Sequence, residues 1–276
     1  MPEIKGAAPQ QIAVIVTGAA RGIGRAMTLA LARAGLRVAA ADLPSSREPM
    51  DELLRLARQH GTHERIVPID CDVTRFEDCA AAVQAATARF GAVHGLVNNA
   101  GIRAPESDMA EGARRRKFYE HKADSYRRVV ETNVVGPFNM AKAIAPSLIA
   151  QGWGRIVNIT TSHPTMVAEA FSPYGATKAA LEAATVIWAK DLAGTGVTVN
   201  ALLPGGAANT RMVPDEEVPD RSTLVSPDVM AAPIVWLMSA RSDGVTGRRF
   251  IGRQWDAALD GTAAAQKAGT PAGWPT

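Results

Sequence analysis

Cysteine is scarce in this chain, and long apolar runs are missing. The two cysteines among 276 residues, Cys71 and Cys79, are too few for a disulfide framework. This usage is typical of a reducing compartment, so we expect a cytoplasmic location. No apolar stretch approaches the ~20 residues that span a bilayer. Residues 1–10 also lack a basic segment followed by an apolar one, so we expect neither a secretory signal nor a membrane partner.

Metal-ligand patterns and a strong excess of one charge are missing as well. The five histidines form no His-Glu-x-x-His or comparable cluster, and therefore we expect no metal site. A net charge of +3 over this length does not indicate nucleic-acid binding. The one dense basic run, at 114–117, is more typical of a solvated surface than of a site for an anionic substrate or partner.

What the chain does contain is a regular alternation of apolar, β-branched runs with segments of helical spacing. Hydrophobic residues make up 47% of it, enough for a sizeable core. Strands are predicted at 12–16, 36–41, 65–69, 93–97, 155–159 and 197–202, and a seventh is indicated at 248–252. The alternation predicts an α/β fold with a doubly wound parallel sheet, the three-layer αβα Rossmann arrangement, as a single domain over 1–276. The tail at about 257–276 is expected to be flexible.

A glycine-rich turn follows the first predicted strand and opens a helix. Residues 17–24 read Thr-Gly-Ala-Ala-Arg-Gly-Ile-Gly. Such a turn lets the backbone approach a pyrophosphate, and the helix N-terminus supplies free N–H groups and positive potential. The motif predicts a dinucleotide site, and a plain tight turn is the alternative.

Acidic residues after the second and third strands indicate which dinucleotide is bound. Asp42 follows Gly24 by 18 positions, where a carboxylate can accept from ribose hydroxyls and repel a 2′-phosphate. NAD is therefore favoured over NADP, although Arg21 or Arg47 could each meet a phosphate. Asp72 is a candidate acceptor for the adenine amino group, with a solvated turn residue as the alternative.

The strongest catalytic pattern is a tyrosine followed four residues later by a lysine. Tyr174 and Lys178 lie near the start of a predicted helix at about 173–192, and residues four apart share one helix face. An ammonium beside a phenol favours the phenolate and lowers its pKa from about 10 toward neutrality. The pair therefore predicts a general acid or base that works near pH 7.

Taken together, these motifs resemble the short-chain dehydrogenase/reductase family in its single-domain branch. The matching pieces cover roughly residues 10–255 in the family's order: Thr17-Gly18-x-x-x-Gly22-x-Gly24, Asp72-Val73, Asn98-Asn99-Ala100-Gly101, Asn133, Tyr174-x-x-x-Lys178 and Pro204-Gly205. The resemblance implies a catalytic tetrad of Asn133, Ser162, Tyr174 and Lys178. In it, Lys178 would lower the pKa of Tyr174 and hold the nicotinamide ribose, and Asn133 would hold a relay water through a helix irregularity.

The motifs and the resemblance together give a set of candidate cofactor-binding residues at the carboxyl ends of the strands. They are Gly18, Arg21, Gly22, Ile23, Gly24, Asp42, Asp72, Val73, Asn99, Ala100, Gly101, Tyr174, Lys178, Pro204, Gly205 and Thr210. Thr210 would touch the nicotinamide carboxamide, although it stands five residues after Gly205 where the family usually has four.

Two further departures from the family pattern concern the substrate side. The family's catalytic serine position falls in register on Thr161, whereas Ser162 lies twelve residues before Tyr174 and thirteen is the commoner spacing. Ser162 is favoured because a β-branched threonine is stiffer at χ1. The interval from Gly101 to Asn133 is roughly ten residues longer than usual, which indicates an insertion at about 103–122 near the mouth of the site.

The predicted function is an NAD-dependent alcohol dehydrogenase or carbonyl reductase that acts on a small-molecule alcohol or carbonyl substrate. A non-catalytic cofactor sensor or scaffold, and a dehydratase, epimerase or enoyl reductase on the same fold, remain alternatives because fold alone does not specify the reaction. The resemblance also implies a homotetramer or homodimer, assembled partly through the helices that carry Asn133 and Tyr174.

Overall fold

A computed structural model describes residues 9–103 and 116–274. Its centre is one sheet with the strand order β3-β2-β1-β4-β5-β6-β7-β8. The strands are β1 (Ala13–Thr17), β2 (Arg37–Asp42), β3 (Ile66–Asp70), β4 (Gly95–Asn98), β5 (Gly154–Ile159), β6 (Val197–Leu203), β7 (Arg248–Ile251) and β8 (Gly269–Pro271). The first seven pair in parallel, and β8 runs antiparallel to β7.

Helices cover both faces of this sheet. They are α1 (Gly22–Arg33), α2 (Arg47–Gln59), α3 (Phe76–Phe90), α4 (Ala123–Val130), α5 (Gly136–Gln151), α6 (His163–Met166), α7 (Tyr174–Asp191), α8 (Ala231–Leu237) and α9 (Gly261–Ala268). Alternate residues of β1 point to opposite faces, so Val14 joins a core with α1, α2 and α8, and Ile15 joins one with α3, α5 and α7. The predicted doubly wound αβα Rossmann fold is confirmed.

The C-terminal tail corrects the sequence prediction. The segment at 257–276 was expected to be flexible, but it contains α9 and β8. Ala264 and Ala268 are 0% and 1% exposed, and Gly269 pairs with Phe250 of β7. Alanine and glycine permit this close packing because they have little or no side chain, so a composition typical of a loose tail here forms an edge of the sheet.

The predicted insertion is described only in part. Residues 104–115, with most of the basic run at 114–117, lie outside the described residues, and Phe118–Glu120 forms a 3₁₀ turn. Among the described residues, no helix combines the length and apolar character needed to cross a bilayer.

Candidate active site

The glycine-rich turn between β1 and α1 has a conformation that its glycines make possible. Gly18 and Gly22 have φ values of +62° and +49°, in the left-handed region. A Cβ on Gly24 would lie 2.0 Å from the Gly18 carbonyl oxygen. Within the described residues no side chain caps the N-terminus of α1 at Arg21, so its first N–H groups can bind an anion. This loop therefore fits a dinucleotide pyrophosphate, while Ile23 packs against the core beneath it.

The end of β4 holds that turn in place. The side-chain amide of Asn99 donates to the carbonyls of Thr17 (2.8 Å) and Gly18 (3.0 Å). The Thr17 hydroxyl accepts from the backbone N–H groups of Asn99 and Ala100, each at 3.0 Å, and donates to the Val97 carbonyl. Sequence reasoning did not assign Thr17 this role, and its place directly before the first glycine was the available signal.

Asp42 lies where the sequence placed it, at the end of β2 and beside the glycine turn. Its carboxylate oxygens accept from the backbone N–H groups of Ala20 and Leu43, each at 2.9 Å. Arg21 and Arg47 are both exposed. A cavity of about 400 Å³ opens next to Asp42, and its charged lining comprises Asp42, Asp51, Asp70 and Arg47. Negative charge thus predominates at this end of the site.

Asp72 and Val73 follow β3 and connect it to the neighbouring helix. Asp72 Oδ1 accepts from the backbone N–H (3.0 Å) and the hydroxyl (2.7 Å) of Thr74, so this carboxylate stabilises a turn. Val73 is 7% exposed, and a Cβ on Gly136 would lie 2.7 Å from its Cγ2. The turn interpretation therefore accounts for Asp72 Oδ1, and an adenine contact remains a prediction.

Tyr174 and Lys178 occupy the first two turns of α7 at the same edge. Tyr174 is half-buried, and its phenolic oxygen makes no hydrogen bond within 9–103 or 116–274. Lys178 is 4% exposed and its Nζ lies 5.9 Å from the centre of the tyrosine ring. That ammonium donates to the Ile159 carbonyl at the end of β5, at 2.8 Å. The predicted proximity is present, but the lysine's hydrogen bond goes to the backbone.

The predicted electrostatic effect of this pair is wrong for the ligand-free protein. Burial raises the pKa of Tyr174 to about 12, and the charge of Arg103 opposes that shift in part. Burial lowers the pKa of Lys178 to about 8. Desolvation disfavours the charged form of both groups. The physical reason for the error is that helical spacing fixes proximity, whereas burial decides which charge states are stable.

Asn133 lies in a π-helical turn, Glu131–Val135, between α4 and α5. Its Oδ1 accepts from the Ile102 N–H (2.8 Å), and its Nδ2 donates to the Ile102 carbonyl (2.9 Å) and the Thr177 hydroxyl (3.0 Å). Pro137, four residues on, has no N–H to offer the Asn133 carbonyl. The polar atoms of the side chain are thus used in structural hydrogen bonds, and the contact with a relay water stays a prediction.

Gly101 is the point where these elements meet. A Cβ on Gly101 would lie 3.3 Å from Asn133 Oδ1 and 3.4 Å from Lys178 Nζ. The end of β4, the π turn and α7 therefore converge here, and a larger residue at 101 would crowd the lysine.

The serine candidate begins a short helix after β5. Ser162 caps α6, where its hydroxyl lies 2.7 Å from the Thr165 hydroxyl. The carbonyl of Thr161 accepts from Arg249 Nη2 at 3.0 Å. β5 ends at Ile159, before either residue. Both Thr161 and Ser162 therefore lie in the loop between β5 and α6.

The segment after β6 lies across the glycine turn. Pro204 is buried, and Gly205 has a φ of +91°. Thr210 contacts the turn, since a Cβ on Gly22 would lie 2.9 Å from its Cγ2. The predicted carboxamide contact of Thr210 is untested, and the structure places this residue beside the phosphate-binding turn.

Arg103 is a site residue that sequence reasoning missed. It forms an ion pair with Glu217 (2.7 Å) and donates to the Met212 carbonyl (2.9 Å), so it joins the end of β4 to the segment after β6. Its charge also acts on Tyr174. The available signal was its position directly after the Asn-Ala-Gly motif.

Comparison with known proteins identifies the family. The profile described as short chain dehydrogenase matches residues 12–219. The chain belongs to the short-chain dehydrogenase/reductase family. This short-chain dehydrogenase is 32% identical over 245 residues to a 3-oxoacyl-acyl-carrier-protein reductase of Thermotoga maritima, covering 85% of this chain and 93% of the relative. It is 31% identical over 242 residues to an acetoacetyl-CoA reductase of Shinella zoogloeoides, covering 84% and 93%.

Comparison with solved structures supports the same family assignment. A gluconate 5-dehydrogenase from Burkholderia cenocepacia in complex with NADP and tartrate matches with a TM-score of 0.74 and 28% identity, covering 92% of this chain and 95% of that one. A short-chain type dehydrogenase/reductase from Mycobacterium marinum matches at a TM-score of 0.75 and 26% identity, covering 87% and 92%. The protein is therefore an oxidoreductase of this family with a nicotinamide cofactor site.

Proposed function

We propose that this protein transfers a hydride between a nicotinamide cofactor and a secondary alcohol or ketone, with Tyr174 as the general acid/base. One observation carries the proposal. The phenolic oxygen of Tyr174 has no hydrogen-bond partner within the described residues, yet it stands one helical turn from the buried ammonium of Lys178 at the carboxyl edge. A pure cofactor sensor would not need such a phenol.

The raised pKa of Tyr174 keeps the phenol protonated at neutral pH before the cofactor binds. With a pKa of about 12, the phenol of the ligand-free protein keeps its proton and can donate it to a carbonyl oxygen. When bound, the nicotinamide supplies the hydride chemistry, and the protein supplies position and the proton. Alcohol oxidation requires the phenolate, so we expect its rate to rise with pH.

The other residues of the predicted tetrad would position the cofactor and polarise the substrate oxygen. Lys178 would hold the nicotinamide ribose and Asn133 the relay water, and the two residues meet at Gly101. Ser162 would donate a hydrogen bond to the substrate oxygen, where charge develops during the reaction.

We also propose a preference for NAD over NADP. Asp42 is oriented by two backbone N–H groups, and three carboxylates against one guanidinium line the adjacent cavity. A 2′-phosphate there would face like charge, which costs at least about tenfold in affinity if the repulsion reaches ~1.4 kcal/mol. Titration of the enzyme with NAD and with NADP tests this preference. Asp42→Asn should bring the dissociation constants for the two cofactors closer together. A parent enzyme that binds NADP more tightly contradicts it.

The relatives guide the choice of substrates to assay. Two are reductases named for 3-oxoacyl and acetoacetyl thioesters, and one structural neighbour is named for gluconate. A panel of 3-oxoacyl thioesters, hydroxy acids and simple secondary alcohols or ketones therefore covers the small-molecule class proposed for this chain.

A homotetramer or homodimer is proposed as the working assembly. Large apolar side chains are exposed on the two long helices: Phe138 (48%) and Ile149 (44%) on α5, and Ile187 (55%) on α7. Exposed patches of this kind mark protein contacts. Light scattering on the purified protein gives the mass that decides it.

Tyr174→Phe tests the mechanism most directly. The variant removes only the titrating hydroxyl, so we expect turnover to fall by at least about a hundredfold, the usual scale of acid–base catalysis. Cofactor affinity and the unfolding midpoint serve as controls and should stay close to the parent values. Near-normal turnover would refute the mechanism.

Ser162→Ala and Thr161→Val, assayed side by side, show which hydroxyl the reaction uses.

A further inference from the structure

The C-terminal tail reaches the loop that carries Ser162. The indole of Trp274 stacks on the imidazole of His163, with ring centroids 5.8 Å apart and an interplanar angle of 24°. His163 directly follows Ser162 and is the first residue of α6. The backbone N–H of Gly273 donates to Glu182 Oε1 at 3.2 Å. The end of the described chain is thus in contact with the catalytic edge of the sheet.

A buried ion pair approaches the same loop from the other side. Glu182 is 0% exposed and lies on α7, one turn beyond Lys178. Its Oε1 is 3.0 Å from Nε of Arg249 on β7, and Arg249 is 6% exposed. Nη2 of Arg249 donates to the Thr161 carbonyl at 3.0 Å. The contacts therefore run continuously from Gly273 through Glu182 and Arg249 to the residue before Ser162.

Stability alone is a weak explanation for this arrangement. A buried ion pair often contributes little net stability, because desolvation of the two charges offsets their attraction. Loss of either partner is nonetheless costly, because it leaves the other charge buried and unpaired. The pair therefore fixes the position of both side chains. Here the guanidinium holds the backbone at Thr161 while the indole holds the ring at 163. The two contacts flank Ser162 on both sides.

We propose that the tail and the Glu182–Arg249 pair are positioning elements that hold the Ser162 hydroxyl in place at the catalytic edge. This inference rests on the proposed function for the catalytic role of the serine, though not for the placement of the loop. Small misplacements of a catalytic group can cost large factors in rate. Loss of one flanking contact is therefore expected to reduce turnover more than cofactor binding.

Hydrogen–deuterium exchange of the cofactor-loaded, full-length enzyme tests the placement. Trp274→Ala should accelerate amide exchange in peptides covering 160–166 by about threefold or more. Arg249→Lys should do the same, because lysine lacks the planar fork with which the guanidinium presents Nε to Glu182 and Nη2 to the Thr161 carbonyl. Exchange in 13–17 of β1 should not change, which separates a local effect from global unfolding. Trp274→Phe, which keeps an aromatic ring, should restore the slow exchange.

Kinetics of the same variants give the second measurement. We expect Trp274→Ala to lower kcat by about tenfold, the effect of one lost contact of ~1.4 kcal/mol, with the Kd of the cofactor unchanged. Lys267→Ala is the matched control, because it removes an exposed ion pair with Asp256 from the same tail.

The outcomes distinguish the two proposals. Unchanged exchange at 160–166 in both Trp274→Ala and Arg249→Lys would overturn the positioning role, whatever the turnover. Accelerated exchange with unchanged turnover would support the positioning of the loop and instead remove Ser162 from the proposed mechanism.

Discussion

The buried ammonium of Lys178 predicts how the stability of the cofactor-free protein depends on pH. Burial lowers the pKa of this side chain from 10.5 to about 8. The folded protein therefore binds fewer protons than the unfolded chain between about pH 8 and 10.5. The contribution of this lysine to the free energy of unfolding should rise with pH across that window, and the full cost of its buried charge is present below pH 8.

The magnitude follows from the pKa difference and one hydrogen bond. The interval between 10.5 and about 8 corresponds to about 3 kcal/mol. Lys178→Met keeps the aliphatic length and removes the charge, but it also deprives the Ile159 carbonyl of its donor, which costs about 1–2 kcal/mol. We therefore expect this variant to be about 1–2 kcal/mol more stable than the parent at pH 7, and the difference to reverse by pH 10.5, where only the cost of the lost hydrogen bond remains.

Urea unfolding without cofactor, repeated from pH 7 to 10, measures the effect. Lys190→Met is the matched control, because Lys190 is an exposed lysine on the same helix. Relative to Lys178→Met, the parent and the control should gain stability between pH 8 and 10, because all the other titrating groups near this range are common to the three proteins. Parallel pH profiles for all three proteins would refute the reasoning. In the same preparations, Lys178→Met should lack turnover, which would separate stability from function at this residue.

Two further substitutions test the cofactor turn and the phenol. Gly24→Ala should weaken cofactor binding by about tenfold or more, since its Cβ would lie 2.0 Å from the Gly18 carbonyl. Gly61→Ala is its control in a binding titration, because it strains the backbone at φ +65° but meets no atom within 4 Å. Arg103→Gln should raise the pKa of Tyr174 further, so alcohol oxidation at pH 9 should slow several-fold and its pH–rate profile should shift to higher pH; an unshifted profile would contradict this.

The parallel sheet was readable from the sequence because both of its faces are covered. Buried strands such as β1 and β2 are largely apolar runs, and each ends in a polar residue, Thr17 or Asp42. Since parallel strands share one carboxyl edge, the order of these endings was enough to bring Gly18, Asp42 and Asn99 together. The glycine turn needed no knowledge of distant contacts, because the conformation it requires is local.

The tail and the ionisation states could not be read in the same way. Residues 257–276 are rich in small residues, and only the long-range pairing of β8 with β7 shows that this composition allows close packing. No sequence pattern indicated the ion pair of Glu182 either, because its partner Arg249 lies 67 positions away in the sequence. Likewise, the spacing of Tyr174 and Lys178 established a shared helix face but not the acceptor that the ammonium would find.

Burial acts in opposite directions on the two members of the catalytic pair. It raises the pKa of the Tyr174 phenol and lowers that of the Lys178 ammonium, so burial stabilises the neutral form of each group relative to its charged form. A ligand that brings polar oxygens or negative charge to Lys178 stabilises the ammonium and raises its pKa. The same positive charge then favours the phenolate at Tyr174. The coupling that the family resemblance implies is therefore expected to develop on cofactor binding, and the kinetic pKa of the loaded enzyme should lie below the pKa of about 12 that burial produces in the free protein.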